Sequence, residues 1–182
     1  MESLAYELNQ GGTTKMVLLE YHTDDGYGTT QTRAQFAAYN LPGTPSTVFN
    51  GSAGANARIG PQEAEVYRAR YESLKTKQTT AMLELTAPVP TRDKMYASVR
   101  LTNLAATPLE NAKIYAIVYE NKQNEKRYMV VDITPSYNIT RLAAGASQEY
   151  SLESKVTYSS SRHIIVVVRA ANGLVLQTLF AK

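Results

Sequence analysis

The hydrophobic pattern of the chain changes near residue 79, and this change constrains the fold more than any other feature. From there onwards apolar residues recur at every second position, as in strands with one buried face and one solvated face. Turn-forming residues separate the runs, and no clear helical period interrupts them. The pattern therefore predicts an antiparallel β-sandwich of about seven strands. The predicted strands are 81–86, 96–101, 113–120, 127–132, 149–156, 162–169 and 174–180.

The first 78 residues mix helical and strand patterns instead. The spacing of apolar residues and the glycine and proline breaks predict helices over 2–9, 31–39 and 61–74, with strands over 16–21, 46–49 and 57–59. The polar connector 75–78 is the expected boundary between the two patterns. The sequence therefore predicts an α+β protein of two domains: an α/β domain over 1–78 and an immunoglobulin- or fibronectin-like β-sandwich over 79–182.

The composition excludes several classes of function. The 182 residues include no cysteine, which removes disulfides, thiolate nucleophiles and thiolate metal sites. The net charge of +3 is spread along the predicted strands rather than clustered, so we expect no nucleic-acid partner. No apolar run approaches the ~18–20 residues of a transmembrane helix. The first residues also lack the features of a signal peptide.

Residues 39–51, Tyr-Asn-Leu-Pro-Gly-Thr-Pro-Ser-Thr-Val-Phe-Asn-Gly, form the most specific motif of the chain. They resemble the thioredoxin-superfamily loop in which an aromatic residue, a glycine and a cis-proline lead into the third core strand. The resemblance makes Pro45 the cis-proline and Thr44 the residue before it. In that family the backbone at this turn pairs with an extended peptide. The resemblance therefore implies a peptide-binding edge at Thr44 and Pro45.

The arrangement of the whole chain resembles a bacterial cell-envelope group, outer-membrane lipoproteins included, in which a thioredoxin-like domain precedes a β-sandwich. This resemblance implies an extracytoplasmic location, in the periplasm or at the cell surface. The family's first strand and its Cys-x-x-Cys have no counterpart, because Met1 matches a position partway along the helix that follows them. The resemblance thus implies an N-terminally truncated, redox-inactive domain. Its incomplete sheet edge suggests a homodimer.

His22, Asp24 and Asp25 could be drawn as a metal or acid/base cluster. Two carboxylates and one imidazole in a polar loop are more often solvated, and we interpret them in that way. Ser46 and the serines at 159–161 lack the glycine-flanked elbow of a hydrolase nucleophile, so we interpret them as turn residues. We therefore expect no catalytic residue, no metal site and no cofactor.

The thirteen tyrosines could line a glycan- or peptide-binding surface. Tyr115 and Tyr119 are expected to share one face of a strand, with Tyr96 on a neighbouring strand. Tyrosines on sandwich sheets more often pack than bind, so we interpret these three as packing residues.

Three functional hypotheses remain open at this point. The first is a non-catalytic thioredoxin-like and β-sandwich protein that binds a protein or peptide in the cell envelope. The second is a fragment of a thiol-disulfide oxidoreductase whose Cys-x-x-Cys lies upstream of Met1. The third is an adhesive or glycan-binding sandwich module.

Overall fold

The structure is a computed structural model that describes residues 9, 16–41, 43–44, 46–53, 63–89, 92–121 and 128–181. Within these ranges the chain forms two helices and ten strands. The helices are α1 (Thr30–Ala38) and α2 (Glu63–Lys75). The strands are β1 (Val48–Phe49), β2 (Ser52–Ala53), β3 (Ala81–Leu85), β4 (Lys94–Asn103), β5 (Leu109–Glu120), β6 (Met129–Ile133), β7 (Tyr137–Leu142), β8 (Ser147–Thr157), β9 (Arg162–Arg169) and β10 (Val175–Ala181).

Eight of these strands form an antiparallel β-sandwich. The five-stranded sheet has the order β10-β9-β5-β6, and β7 also pairs with β5. The three-stranded sheet has the order β3-β4-β8. Strands β4 and β8 largely alternate buried and exposed residues, as the period of two requires when one face meets water. The core between the sheets includes Val99, Leu101, Ile114, Leu152 and Val166.

Strands β6 and β7 follow one another along the same edge of β5. Thr134 interrupts the ladder between them, and its backbone N–H donates to the carbonyl oxygen of Ala116 over 2.9 Å. The Ala116 N–H donates in return to the Thr134 hydroxyl, also over 2.9 Å. A side-chain oxygen thus replaces a backbone acceptor at the break, so the buried N–H group stays satisfied.

The outer face of the five-stranded sheet is a second apolar core. Residues 114–120 of β5 and 164–168 of β9 are buried without alternation. Val17, Leu19 and Tyr21 cover this face. Both faces of the central strands β5 and β9 are therefore excluded from water, which explains their continuous apolar runs. The covered residues are Tyr115, Ile117, Tyr119, Val130, Ile165 and Val167.

The structure confirms the strand-rich pattern after residue 79 and the helices predicted over 31–39 and 61–74, the latter as far as it is described. It adds β7, which no predicted strand covers. The strand predicted over 16–21 is wrong: the segment has no ladder and only one bridge, in which Glu20 pairs in parallel with Met129 of β6. Its apolar side chains serve as a cover for the sheet, and this explains the misleading pattern.

The expected sheet of three strands in the first 78 residues is not found in the described part of that region. Val48–Phe49 pairs with Ser52–Ala53 across the Asn50–Gly51 turn, as a short hairpin. The predicted strand 57–59 lies outside the described residues, and so does the predicted helix 2–9 apart from Asn9. The described architecture is therefore mostly antiparallel sheet with few helices, and the thioredoxin-like α/β arrangement stays a prediction.

The hairpin of β1 and β2 contacts the sandwich at the turn between β9 and β10. The Val175 N–H donates to the carbonyl oxygen of Asn50 over 3.0 Å. Gly51 adopts a φ of +76°, and a Cβ atom there would lie 2.2 Å from the carbonyl oxygen of Gly173. Only glycine fits this approach of two backbones.

Candidate functional site

The structure brings together two groups of residues that the sequence presents separately. The hydroxyl of Thr44 lies 3.5 Å from a carboxylate oxygen of Asp24. Thr44, Asp24 and Asp25 are exposed, as are Gly26 and Tyr27. Pro45 lies outside the described residues, so its peptide geometry stays a prediction. The candidate site is therefore a pair of adjacent exposed loops, 22–28 and 43–44, which we call the loop pair.

His22 lies at the base of the loop pair between acidic groups. Its Nδ1 is 2.6 Å from a carboxylate oxygen of Asp25, and its Nε2 is 3.7 Å from a carboxylate oxygen of Glu20. The ring of Tyr27 meets the imidazole edge to face at 5.7 Å. Carboxylates thus lie beside both ring nitrogens, and a further carboxylate, that of Asp24, lies beside the Thr44 hydroxyl.

Hydrogen bonds between side chains and backbone groups fix the shape of loop 22–28. The Tyr27 N–H donates to Asp25 Oδ1 over 2.9 Å, which is an Asx-type turn. Gly28 allows close approach, because a Cβ atom there would lie 2.8 Å from the carbonyl oxygen of Thr23. Arg33 Nε donates to that same oxygen over 2.9 Å. The loop is therefore braced against α1.

The start of α1 is also tied to the loop. Thr29 caps the helix, and its hydroxyl accepts from the Thr32 N–H while the Thr32 hydroxyl accepts from the Thr29 N–H. The fully buried Thr32 hydroxyl also lies 2.6 Å from the carbonyl oxygen of His22, to which it donates. The cap thus links the helix to the histidine.

Asp132 connects this arrangement to the sandwich. Gln31 Nε2 in the first turn of α1 donates to Asp132 Oδ1 over 3.2 Å. The other carboxylate oxygen accepts from the Ser154 hydroxyl at 2.6 Å and from the Lys155 N–H at 2.8 Å. Asp132 is only 3% exposed, so these donors replace water around a buried carboxylate. Asp132 therefore ties the first turn of α1, which follows loop 22–28, to β8.

The described residues contain no group of three or more His, Cys, Asp or Glu side chains arranged to hold a metal ion. The second histidine, His163, stacks against Tyr119 and Phe180 with ring centroids 5.1 and 5.7 Å apart. The serines at 159–161 form a turn in which the Ser161 hydroxyl donates to Glu120 over 3.1 Å. That contact gives the turn serines a structural role.

The structure confirms that Tyr115 and Tyr119 share one face of a strand, whereas the expectation that Tyr96 lies on a neighbouring strand is wrong. Tyr115 and Tyr119 share the outer face of β5 and are buried. Burial raises the pKa of Tyr115, and it raises the pKa of Tyr119 to about 12. Tyr96 lies on β4, which belongs to the other sheet. The alternation of a strand shows which face a residue occupies but not which strand is its neighbour.

The fold is similar to that of HBP35 of Porphyromonas gingivalis, with a TM-score of 0.62 and 15% sequence identity. The match covers 87% of this chain and 60% of that one, so the chain spans only about three fifths of this relative. At this identity the likeness shows the fold alone. No family model and no curated protein matches the sequence.

Two glycosidases match only part of this chain, with low scores. A β-glucuronidase of Bacteroides uniformis has a TM-score of 0.35 and 13% identity over 56% of this chain and 12% of its own. A β-glucosidase of Kluyveromyces marxianus has a TM-score of 0.36 and 15% identity over 62% and 17%. Both scores are too low to support a functional argument. Among the described residues, no helix is long and apolar enough to span a membrane.

Proposed function

We propose that this chain is a non-catalytic binding module that recognises a protein or an extended peptide in the cell envelope. The observation that carries the proposal is the contact between Thr44 and Asp24, which places two exposed loops side by side. The exposed residues include Asp24, Asp25, Tyr27 and Thr44, and loop 22–28 is hydrogen-bonded to α1. Such a surface suits recognition, because little conformational entropy is lost when a partner binds to a rigid site.

The thioredoxin-like resemblance supports the same surface. In that family the residue before the cis-proline offers backbone groups to a bound peptide, and Thr44 occupies this position by resemblance. The acidic residues Asp24 and Asp25 lie beside it, so the preferred partner is expected to be cationic. The extracytoplasmic location belongs to the same proposal and rests on the same resemblance.

The test is a selection of random twelve-residue peptides on the purified chain, followed by binding measurements on variants. Thr44→Arg adds bulk and positive charge at the loop pair, and we expect it to weaken selected cationic peptides at least about tenfold. Thr178→Arg adds the same side chain at an exposed position of β10 and serves as the matched control. Equal affinity for both variants would contradict the proposal.

The absence of catalysis is tested separately. With no sulfur nucleophile, the chain cannot form the mixed disulfide that thiol–disulfide exchange requires. We expect no reduction of insulin disulfides above that of heat-inactivated protein. Activity above this control would contradict a non-catalytic role.

A further inference from the structure

The outer edge of β8 carries backbone groups that point away from the rest of the sandwich. Asn103 of β4 donates its N–H to the carbonyl oxygen of Ala146, just before β8 begins. Hydrogen-bonding direction alternates along an antiparallel pair, so Gln148, Tyr150 and Leu152 direct their backbone groups at β4. The residues between them direct theirs outwards. These outward residues are Ser147, Glu149, Ser151 and Glu153.

The described part of the chain leaves this edge open. Strand β8 pairs with β4 alone, and no described backbone group bonds to the four outward residues on the other side. All four side chains are exposed. Farther along the strand, Asp132 closes the edge by accepting from the Lys155 N–H at 2.8 Å. The open ladder therefore runs from Ser147 to Glu153 and ends at Asp132.

The two faces beside this edge differ in chemistry. Glu149 and Glu153 lie on the solvent face. On the β4 side, Arg100 pairs with Glu149 at 2.8 Å and Lys94 pairs with Glu153 at 2.7 Å. The side of the open edge holds no described basic partner for either glutamate. On the inner side Tyr137 of β7 packs against Tyr150 with ring centroids 5.8 Å apart. Tyr137 is 50% exposed. The buried hydroxyl of Tyr150 has no hydrogen-bond partner in the described structure.

We propose that the β8 edge is a strand-addition site for an extended peptide that alternates basic and apolar residues. The peptide backbone pairs with the outward groups from Ser147 to Glu153. Its basic side chains lie beside Glu149 and Glu153, and its apolar side chains lie against Tyr137 and Tyr150. This site is distinct from the loop pair and does not depend on it.

A peptide fits this edge better than a second copy of β8. Two β8 strands paired antiparallel about Ser151 would set Glu149 opposite Glu153 of the other copy, twice. Pairing about Leu152 would set Glu149 opposite Lys155, where Asp132 already holds the backbone N–H. Pairing about Tyr150 would set Glu149 opposite Ser151 and Glu153 opposite Ser147, which gives neither carboxylate a basic partner across the strand pair. A basic peptide supplies that partner, so charge favours the peptide over a second copy.

The probe is a fluorescein-labelled Lys-Val-Lys-Val-Arg-Tyr-Lys peptide, titrated against the full chain by fluorescence anisotropy. Ser151→Pro removes an outward N–H but no bond to β4, and proline is tolerated at sheet edges. We expect Ser151→Pro to weaken binding at least about tenfold and Thr140→Pro, on the exposed edge of β7, to change it less than about twofold. Equal effects of the two prolines would overturn the proposal.

The double variant Glu149→Lys/Glu153→Lys tests the same site without touching the backbone. It should reject the basic peptide and accept its counterpart with glutamate in place of lysine and arginine. An unchanged preference would overturn the proposal, whatever happens to Ser151→Pro.

If the free chain sediments as a dimer that Ser151→Pro dissociates, a second copy is the occupant and the peptide proposal is wrong. Loss of peptide binding on Thr44→Arg alone would assign that peptide to the loop pair.

Discussion

The guanidinium of Arg169 lies over the ring of Tyr39, with its carbon 4.6 Å from the ring centroid. Tyr39 caps the C-terminal end of α1, and Arg169 is the last residue of β9, so the contact joins the N-terminal part of the chain to the sandwich. Arg169 Nε also donates to the carbonyl oxygen of Gly173 over 2.6 Å, in the turn between β9 and β10. One side chain thus contacts both the end of α1 and this turn.

Replacing Arg169 with Met keeps most of the aliphatic length and removes both contacts, the one with the Tyr39 ring and the one with the Gly173 carbonyl oxygen. We expect the free energy of unfolding to fall by about 2 kcal/mol, from one cation–π contact and one hydrogen bond from a charged donor. Urea denaturation measures this loss. Arg141→Met is the control, because Arg141 is exposed and its only described pair is with Glu110 at 3.8 Å. It should cost less than about 0.5 kcal/mol.

Asp132→Ala should be among the most destabilising single changes in the sandwich. It leaves the Ser154 hydroxyl and the Lys155 N–H without their acceptor, and each unsatisfied buried donor costs about 1–3 kcal/mol. We expect a loss of about 3 kcal/mol in urea denaturation. Glu153→Ala removes a carboxylate of the exposed surface and should change the same quantity by less than about 1 kcal/mol. Similar losses would mean that Asp132 is solvated in solution.

Alanine variants of two glycines with similar φ angles should distinguish the cost of a left-handed backbone from the cost of a steric clash. Gly51 has a φ of +76° and Gly145 a φ of +71°, but only Gly51 has a backbone in the way of a Cβ atom. We expect Gly145→Ala to cost about 1–2 kcal/mol for the left-handed conformation. Gly51→Ala should cost at least about 3 kcal/mol, because the hairpin must also withdraw from Gly173. Thermal unfolding of both variants gives the comparison.

Alkaline pH should destabilise the protein from about pH 10 upwards. Burial raises the pKa of Tyr21, Tyr115 and Tyr119, the last to about 12, whereas an unfolded tyrosine ionises near pH 10. Above pH 10 the unfolded state therefore binds fewer protons than the folded state, and stability falls as pH rises towards 12. Melting temperatures between pH 8 and 11.5 test this. Tyr119→Phe should flatten the slope.

Much of the sandwich could be predicted because each strand shows its buried face in its own sequence. A period of two in β4 and β8 directly reflects one dry and one wet face. Strand β7 was missed because its buried residues, Ile139 and Leu142, are three apart and not two. The continuous apolar runs of β5 and β9 indicate a sheet that is covered on both faces. The sequence of these strands does not indicate which segment of the chain covers the outer face.

The candidate site was only half predictable for a similar reason. The motif around Thr44 and the polar loop around Asp24 are each recognisable in the sequence. Their contact depends on how 16–21 lies across the sheet, and this depends on pairing between Glu20 and Met129, which are distant in the chain. Pairing over such a distance leaves no periodic trace.

The second core on the outer face of the five-stranded sheet affects which parts of the chain can be moved between proteins. A fragment that starts at residue 79 keeps every strand of the sandwich but loses Val17, Leu19 and Tyr21. Its bare face would join Tyr115, Ile117 and Val167 into an apolar patch of the kind that causes aggregation. A domain transplant that takes the sandwich alone should therefore yield insoluble protein, whereas one that carries 16–21 with it should not.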